Sequence, residues 1–167
     1  DGYKIVCSEP SAALCLKDEL RYYVDGEDAE IVSENTFEFV DYVYKLTVEN
    51  KIRPVKKDVG GILVYHRPCH ALSLDRSGDS PDVLRKLSGV EVDDLDGGCC
   101  GLAGTFGMQK KNKEISEMIS KNLRSKIESH KNATVVTECG ACAMQIRHIS
   151  GADVRHPAQV LLELYKQ

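Results

Sequence analysis

Gly97-Gly98-Cys99-Cys100-Gly101 places two adjacent thiols in a glycine-rich stretch, and three other cysteines are spaced around it. Cys69 lies upstream and is separated from the pair by 29 residues, whereas Cys139 and Cys142 follow the stretch after 37 residues. Thiolates are soft ligands that select iron–sulfur clusters or zinc over hard cations. The spacing therefore predicts a metal or cluster site assembled from three separate segments.

Short apolar runs alternate with helical patterns along the chain. Runs of strand length end near Cys7, Tyr65, Leu95, Thr137 and Arg155. Short runs that are almost wholly apolar are typical of parallel strands buried on both faces. We therefore expect an α/β fold: a three-layer parallel sheet of about four or five strands with helices on both faces. The cysteine site should lie at the carboxyl edge of the strands, where the loops converge.

Several helices are predicted from apolar spacing. One covers residues 12–20 after a buried strand, and another covers residues 36–49, where Asn35 and Glu38 are spaced as a capping box. A long amphipathic helix is expected to start near Gln109. Its predicted apolar face consists of Ile115, Met118, Ile119, Leu123 and Ile127.

Glycines surround the adjacent thiols. Gly98, Gly101 and Gly104 lack side chains, so the backbone N–H groups near them can approach sulfur closely. Donors near sulfur tune the potential of a cluster, and we predict these three glycines as cofactor-binding positions. The long helix that follows would also direct its positive end towards this loop. The stretch lacks the Lys-Ser/Thr ending of a P-loop, which argues against a nucleotide site.

Two other chemistries remain open for the five cysteines. Four thiolates suffice for a closed zinc site, although two adjacent side chains rarely both reach one small ion. Cys139 and Cys142 alone could form a redox dithiol at a helix start, where the helix dipole lowers a thiol pKa. Because three more cysteines are predicted at the same edge, a cluster is the favoured interpretation.

The remaining candidates are weaker. Cys7 and Cys15 are predicted to be small buried hydrophobic residues, with Cys7 a minor ligand candidate because it ends a strand. His66 and His70 flank Cys69, and either could donate to cluster sulfur or transfer protons, although a simple hydrogen-bonding role is commoner.

Composition excludes several classes of protein. The chain has 167 residues, of which 42% are hydrophobic and 29% charged, and its net charge of −4 provides no basic surface for nucleic acid. No apolar run approaches the roughly 20 residues of a membrane span. Seven cysteines are too few for a disulfide scaffold and indicate a reducing compartment. We expect a cytoplasmic protein, or one held peripherally at the inner face of the cytoplasmic membrane.

Three motifs resemble those of the cysteine-rich CCG domain. They are Tyr65-His66-x-Pro68-Cys69-His70, then Gly98-Cys99-Cys100-Gly101-x-x-Gly104-Thr105-Phe106-Gly107, then Thr137-Glu138-Cys139-Gly140-x-Cys142-x-Met144-Gln145. This domain occurs in the iron–sulfur subunits of glycolate oxidase and anaerobic glycerol-3-phosphate dehydrogenase. It also occurs in FAD-linked oxidases fused to iron–sulfur domains and in heterodisulfide reductase.

The resemblance implies electron transfer between a flavin dehydrogenase and a quinone or other acceptor. The substrate would be a 2-hydroxy acid such as glycolate or lactate, or glycerol 3-phosphate, and FAD would sit on a partner domain or subunit. A membrane or quinone-linked subunit would be a further partner. By the same resemblance Cys69, Cys99, Cys100, Cys139 and Cys142 would all be ligands of a four-iron (4Fe-4S) cluster, in a cubane or a non-cubane form. The alternatives are disulfide chemistry at such a cluster, as in heterodisulfide reductase, and a zinc-binding docking module.

The resemblance also implies how the chain is organised. We expect residues 1–167 to form one CCG domain, with a less typical part at 1–58 and the motif-bearing core at 59–167. Relatives usually carry two CCG motifs, whereas this chain carries one and begins with Asp1. We therefore expect it to be the C-terminal part of a longer oxidoreductase and not a complete enzyme.

Overall fold

Four parallel strands form the central sheet of this computed structural model, which describes residues 2–55, 57 and 60–166. The strands are β3 (Leu63–Tyr65), β4 (Val92–Asp94), β5 (Thr134–Val136) and β6 (Val154–Arg155), in the order β4-β3-β5-β6. Leu63 is in register with Val92 on one side and with Thr134 on the other. The fold is thus α/β with a parallel sheet, as predicted. The predicted boundary between residues 58 and 59 lies outside the described residues.

A second parallel sheet has two strands, and neither strand pairs with the central sheet. It pairs β1 (Ile5–Cys7) with β2 (Thr36–Glu38), and Cys7 is in register with Glu38. The predicted strand ending at Cys7 exists, but the prediction that it is buried is wrong, because Ile5 and Val6 are 37% and 41% exposed. A strand in a two-stranded sheet pairs along one edge only, so its other edge is left open to the surroundings.

Helices cover both faces of the central sheet. The helices are α1 (Pro10–Leu14), α2 (Glu27–Asn35), α3 (Phe39–Val48), α4 (Cys69–Ser73), α5 (Ser80–Ser88), α6 (Lys113–Ile119), α7 (Lys121–Ser129), α8 (Gly140–Ser150) and α9 (Pro157–Tyr165). On one face of the sheet Leu63 and Tyr65 pack with side chains of α3, α5 and α9, and on the other Val64 and Val135 pack with side chains of α7 and α8. Among the described residues, no helix combines the length and the apolar character needed to cross a membrane.

The long helix expected after Gln109 is instead a 3₁₀ turn followed by α6 and α7, which meet at Ser120. Its predicted apolar face is wrong over the first half, where Met118 is 68% exposed. The buried side of α6 is polar because the Ser116 hydroxyl donates to the Gly101 carbonyl at 2.8 Å. Only the second half of the predicted face, Leu123 and Ile127, is buried.

Two predictions for the first fifty residues are also corrected. The helix predicted at 12–20 is regular only as far as Leu14 and continues as a π-helical turn and a 3₁₀ turn. The predicted Asn35–Glu38 capping box is wrong because Glu38 is itself the N-cap of α3. Its Oε2 accepts from the backbone N–H of Val40 at 3.0 Å and of Asp41 at 3.2 Å.

A buried charge network joins the two sheets. Arg76 lies 3.2 Å from Glu38, at the end of β2, and 3.4 Å from Glu138, which follows β5. Glu138 also accepts from the Tyr65 hydroxyl at 3.0 Å and from the Ser80 hydroxyl at 2.6 Å. Burial raises the pKa of Glu38, whereas the Arg76 charge lowers it. One guanidinium thus compensates two carboxylates that have almost no access to water.

Arg76→Met should lower the free energy of unfolding by about 3–5 kcal/mol, because it leaves two buried carboxylates without a cation. The loss should shrink as the pH falls, since protonation would remove the unpaired charge on Glu38, whose pKa burial already raises. Urea unfolding at several pH values measures both effects.

Arg85→Met is the matched control. Arg85 pairs with Glu91 and Asp82 on the surface, and removing it should cost no more than about 0.5 kcal/mol. Equal losses in the two variants would contradict the assigned importance of the buried network.

Candidate metal centre

The topology delivers all five predicted cysteines to one edge of the central sheet. Cys69 begins α4 shortly after β3, the Cys99–Cys100 pair follows β4, and Cys139 and Cys142 follow β5. Because the three strands are parallel and adjacent, their carboxyl ends lie side by side. The pairing of β3 with β5 continues past the end of β3, because the N–H of His66 donates to the Val136 carbonyl at 3.0 Å.

Three of the thiols form a buried, hydrogen-bonded group. Cys142 Sγ lies 3.1 Å from Cys100 Sγ and donates to it, and Cys142 also lowers the pKa of Cys139. One ring nitrogen of His66 lies within 4.8 Å of the Cys100 and Cys142 sulfurs. His66, Cys100, Cys139 and Cys142 are all buried.

A cleft of about 260 Å³ opens beside this group. Cys69 and Cys99, which are exposed, line it together with Cys100 and Cys142. Partial burial raises the pKa of Cys69, and charge on Cys99, Cys100 and Cys139 raises it further, which places these four thiols within electrostatic reach of one another. The structure therefore brings the five predicted cysteines together, while their role as metal ligands stays a prediction.

The thiols are strongly polarised by one another. The S–H of Cys142 lowers the pKa of Cys100 to about 4 against the effect of burial, with smaller contributions from His66 and the N–H of Leu102. Cys142 in turn has a raised pKa because it donates to Cys100 and to Cys139. The pKa of Cys139 is lowered to about 7, because Cys142 and N–H groups in the first turn of α8 stabilise its thiolate.

Of the three predicted glycines, Gly98 and Gly101 lie at the site. Gly98 lines the cleft with a φ of 76°. The N–H of Gly101 donates to Cys99 Sγ at 3.3 Å, and a side chain there would approach the Ser116 carbonyl to 2.3 Å. Gly104 is exposed in the following turn. A cofactor-binding role for these glycines stays a prediction.

Several residues at the site were not predicted from the sequence. Arg67, Asp94 and Asp96 line the cleft, and Arg67 is held at 2.6 Å from Asp79 and at 3.1 Å from Asp94. Their position at or just after the ends of β3 and β4 could have indicated this, because the cysteines follow the same strands. Glu9 accepts from the N–H of Gly140 at 2.8 Å, next to Cys139. No local pattern could reveal that contact, because the two residues are distant in sequence.

The weaker candidates lie in different surroundings. His66 is 2% exposed at the site, whereas His70 is exposed with its Nδ1 at 3.8 Å from Cys69 Sγ. Cys15 is exposed, so its prediction as a buried residue is wrong. Cys7 is half-buried, and its pKa is raised by burial and by the charge of Glu38.

Cys142→Ala should raise the pKa of Cys100 in the reduced, metal-free protein, because it removes the S–H donor. Far-ultraviolet thiolate absorbance followed against pH measures this shift. In the unaltered protein the lowered Cys100 pKa contributes stability that is complete above the ordinary thiol pKa and is lost as the pH falls towards about 4. The variant should lose that pH dependence.

Cys15→Ser, which alters an exposed thiol, is the control for this experiment. An unchanged Cys100 titration in Cys142→Ala would contradict the conclusion that the S–H of Cys142 lowers the pKa of Cys100.

The segment that holds the five thiols matches a known protein family. The family model for the cysteine-rich domain, CCG, matches residues 63–147, about half of the chain. One subunit of the anaerobic glycerol-3-phosphate dehydrogenase of Escherichia coli (strain K12) is 28% identical, over 97% of this chain and 40% of its own length. D-2-hydroxyglutarate dehydrogenase of the same organism is 34% identical, over 99% of this chain and 16% of its own length.

A third relative is one subunit of the fumarate reductase (CoM/CoB) of Methanothermobacter marburgensis, which is 30% identical over 85% of this chain and 27% of its own length. The chain thus spans two fifths or less of these curated relatives. The family match covers β3, β4, β5 and most of α8, which are the elements that position the thiols. The chain belongs to the cysteine-rich CCG domain family.

Proposed function

We propose that this chain is an iron–sulfur redox domain that passes electrons between a flavin-dependent dehydrogenase and a quinone or other acceptor. The observation that carries the proposal is the convergence of five thiols on one edge of the parallel sheet, around an open cleft. Such a donor set is soft and holds more thiolates than a single small ion requires. The bound cluster would supply reversible one-electron transfer.

The donor set fits an iron–sulfur cluster chemically. Cys69, Cys99, Cys100, Cys139 and Cys142 would hold it, and the lowered pKa values of Cys100 and Cys139 favour the thiolate form that binds metal. His66 Nε2 is buried without a hydrogen-bond partner among the described residues, which is consistent with a ligand at this position. Neutral N–H donors, such as that of Gly101 on Cys99, would stabilise negative charge on sulfur.

The protein environment would control electron exchange. Cys100, Cys139 and Cys142 are embedded in the apolar core on one face of the sheet, among Val64, Leu102 and Ile146. Cys69 and Cys99 instead face the solvent-accessible cleft. The cluster would therefore be shielded from water on one side and open to a redox partner on the other, which suits electron transfer across a protein interface.

The relatives support a class of substrate and partner. One is named as part of a glycerol-3-phosphate dehydrogenase and another as a dehydrogenase of a 2-hydroxy acid. By this analogy the chain serves a dehydrogenase of a 2-hydroxy acid, such as glycolate or lactate, or of glycerol 3-phosphate. FAD would reside on the partner domain or subunit, and a membrane or quinone-linked subunit would accept the electrons. The chain would then be one component of an oxidoreductase at or near the cytoplasmic membrane.

A structural zinc site is the second candidate function. His66, Cys100 and Cys142 place one nitrogen and two sulfurs within 4.8 Å of one another, which is close enough to share a single ion. Cys139, which hydrogen-bonds Cys142, would supply a fourth ligand. In this case the domain would be a docking module, and the redox chemistry would belong to its partners.

Metal analysis of protein purified without oxygen distinguishes the two functions. We expect about four irons and a matching amount of acid-labile sulfide per chain, with visible absorbance that dithionite bleaches. Cys100→Ser should lose most of the iron and sulfide, whereas the control Cys15→Ser, at an exposed thiol outside the site, should keep both. About one zinc per chain with no sulfide would overturn the redox proposal and support the zinc module.

A further inference from the structure

His66 is the buried group at the site that the five-thiol arrangement does not explain. The residue is 2% exposed, and its Nε2 has no hydrogen-bond partner among the described residues. A buried polar nitrogen without a hydrogen-bond partner is unfavourable unless a ligand satisfies it. A ring nitrogen of His66 lies within 4.8 Å of both Cys100 Sγ and Cys142 Sγ. The imidazole is therefore buried directly beside the Cys100 and Cys142 thiols.

The backbone fixes the position of this imidazole. His66 directly follows β3, and its N–H donates to the Val136 carbonyl of the neighbouring strand at 3.0 Å. Tyr65, immediately before it, is fully buried and bonded to Glu138. These contacts hold the backbone of His66, and burial of the residue restricts its side chain. This rigidity is what a ligand position requires.

We infer that His66 is a ligand of the metal centre and binds, through its ring nitrogen, the same metal ion as Cys100 and Cys142. The inference rests on the proposed metal site and deepens it. The two sulfurs and the ring nitrogen lie within 4.8 Å of one another, so the three groups are close enough to converge on one ion. Imidazole nitrogen binds iron and zinc alike, and it needs a distance of about 2.0–2.1 Å in the zinc case.

The other groups near the site fit this role less well. His70 is exposed, and its Nδ1 lies 3.8 Å from Cys69 Sγ, on the solvent side. The Arg67 guanidinium is paired with Asp79 and Asp94 and offers no lone pair. Glu9 accepts from Gly140, so its carboxylate is occupied in capping the start of α8.

Ligation by His66 would have a consequence for the redox chemistry. Imidazole is neutral, whereas each thiolate adds a negative charge, and a less negative set of ligands favours the reduced state of a cluster. Histidine ligands raise the reduction potential of two-iron centres in the same way. Where His66 fills a coordination position that a thiolate would otherwise hold, the potential would be higher than with thiolates alone.

Pulsed electron paramagnetic resonance of the holoprotein tests the inference directly. The protein is purified without oxygen, with ¹⁵N-labelled histidine, and is brought to its paramagnetic state with dithionite or a mild oxidant. We expect a hyperfine coupling from a directly bound nitrogen, its loss in His66→Gln, and its retention in the control His148→Gln. His148 lies on the exposed side of α8 and pairs with Glu117. A paramagnetic cluster without this coupling, or a coupling that survives in His66→Gln, overturns the inference.

A second measurement covers the case in which His66→Gln fails to retain a cluster. Co²⁺ is titrated into the reduced, metal-free protein, and its visible spectrum reports the ligands that bind it. His66→Gln should weaken Co²⁺ binding by at least about tenfold, and His66→Cys should restore it and strengthen the thiolate-to-cobalt band. Unaltered affinity in His66→Gln overturns the inference. If the wild-type protein holds no iron but binds Co²⁺ through His66, the proposed electron-transfer function is rejected, whereas the inference that His66 is a metal ligand is supported.

Discussion

Parallel pairing of β3 with β4 on one side and with β5 on the other is the constraint on which the site depends. Each of the three strands is followed at once by one of the cysteine segments. In a parallel sheet the carboxyl ends of neighbouring strands meet at one edge, so pairing alone brings together residues that are distant in sequence. An antiparallel β4 or β5 would send its cysteines to the opposite edge. The thiols therefore converge because of backbone topology, before any side-chain contact is made.

Glu138 links this edge to the rest of the chain. It directly precedes Cys139, accepts hydrogen bonds from Tyr65 and Ser80, and pairs with Arg76. These contacts hold the start of the loop after β5 in place. Arg76 extends the network to Glu38 at the end of β2, and Glu9 reaches from the N-terminal segment to the N–H of Gly140. The first fifty residues thus support the site without contributing one of its five thiols. Their lack of a motif in the sequence reflects this indirect role.

The sequence predicted the part of the site that depends on topology and missed the part that depends on packing. Apolar runs ending near Tyr65, Leu95 and Thr137 were enough to place the cysteines at one edge, because strand direction follows from the alternation with helices. The buried face of α6 could not be predicted in this way. Ser116 is buried by a hydrogen bond to the Gly101 carbonyl, and Met118 is exposed, which reverses the hydrophobic pattern. A hydrogen bond between two distant segments leaves no periodic pattern in the sequence of either segment.

The charge balance at the site supports the proposed metal centre over a simple dithiol. Cys142 donates its S–H to Cys100 and has a raised pKa, whereas the pKa values of Cys100 and Cys139 are lowered. Asp94 and Asp96 add negative charge at the rim of the cleft, while Arg67 is already neutralised by carboxylates. Several thiols with lowered pKa values beside these carboxylates would favour a cationic metal centre, because metal ions displace thiol protons and compensate the charge of the thiolates that bind them. A dithiol would use only two of the five converging thiols.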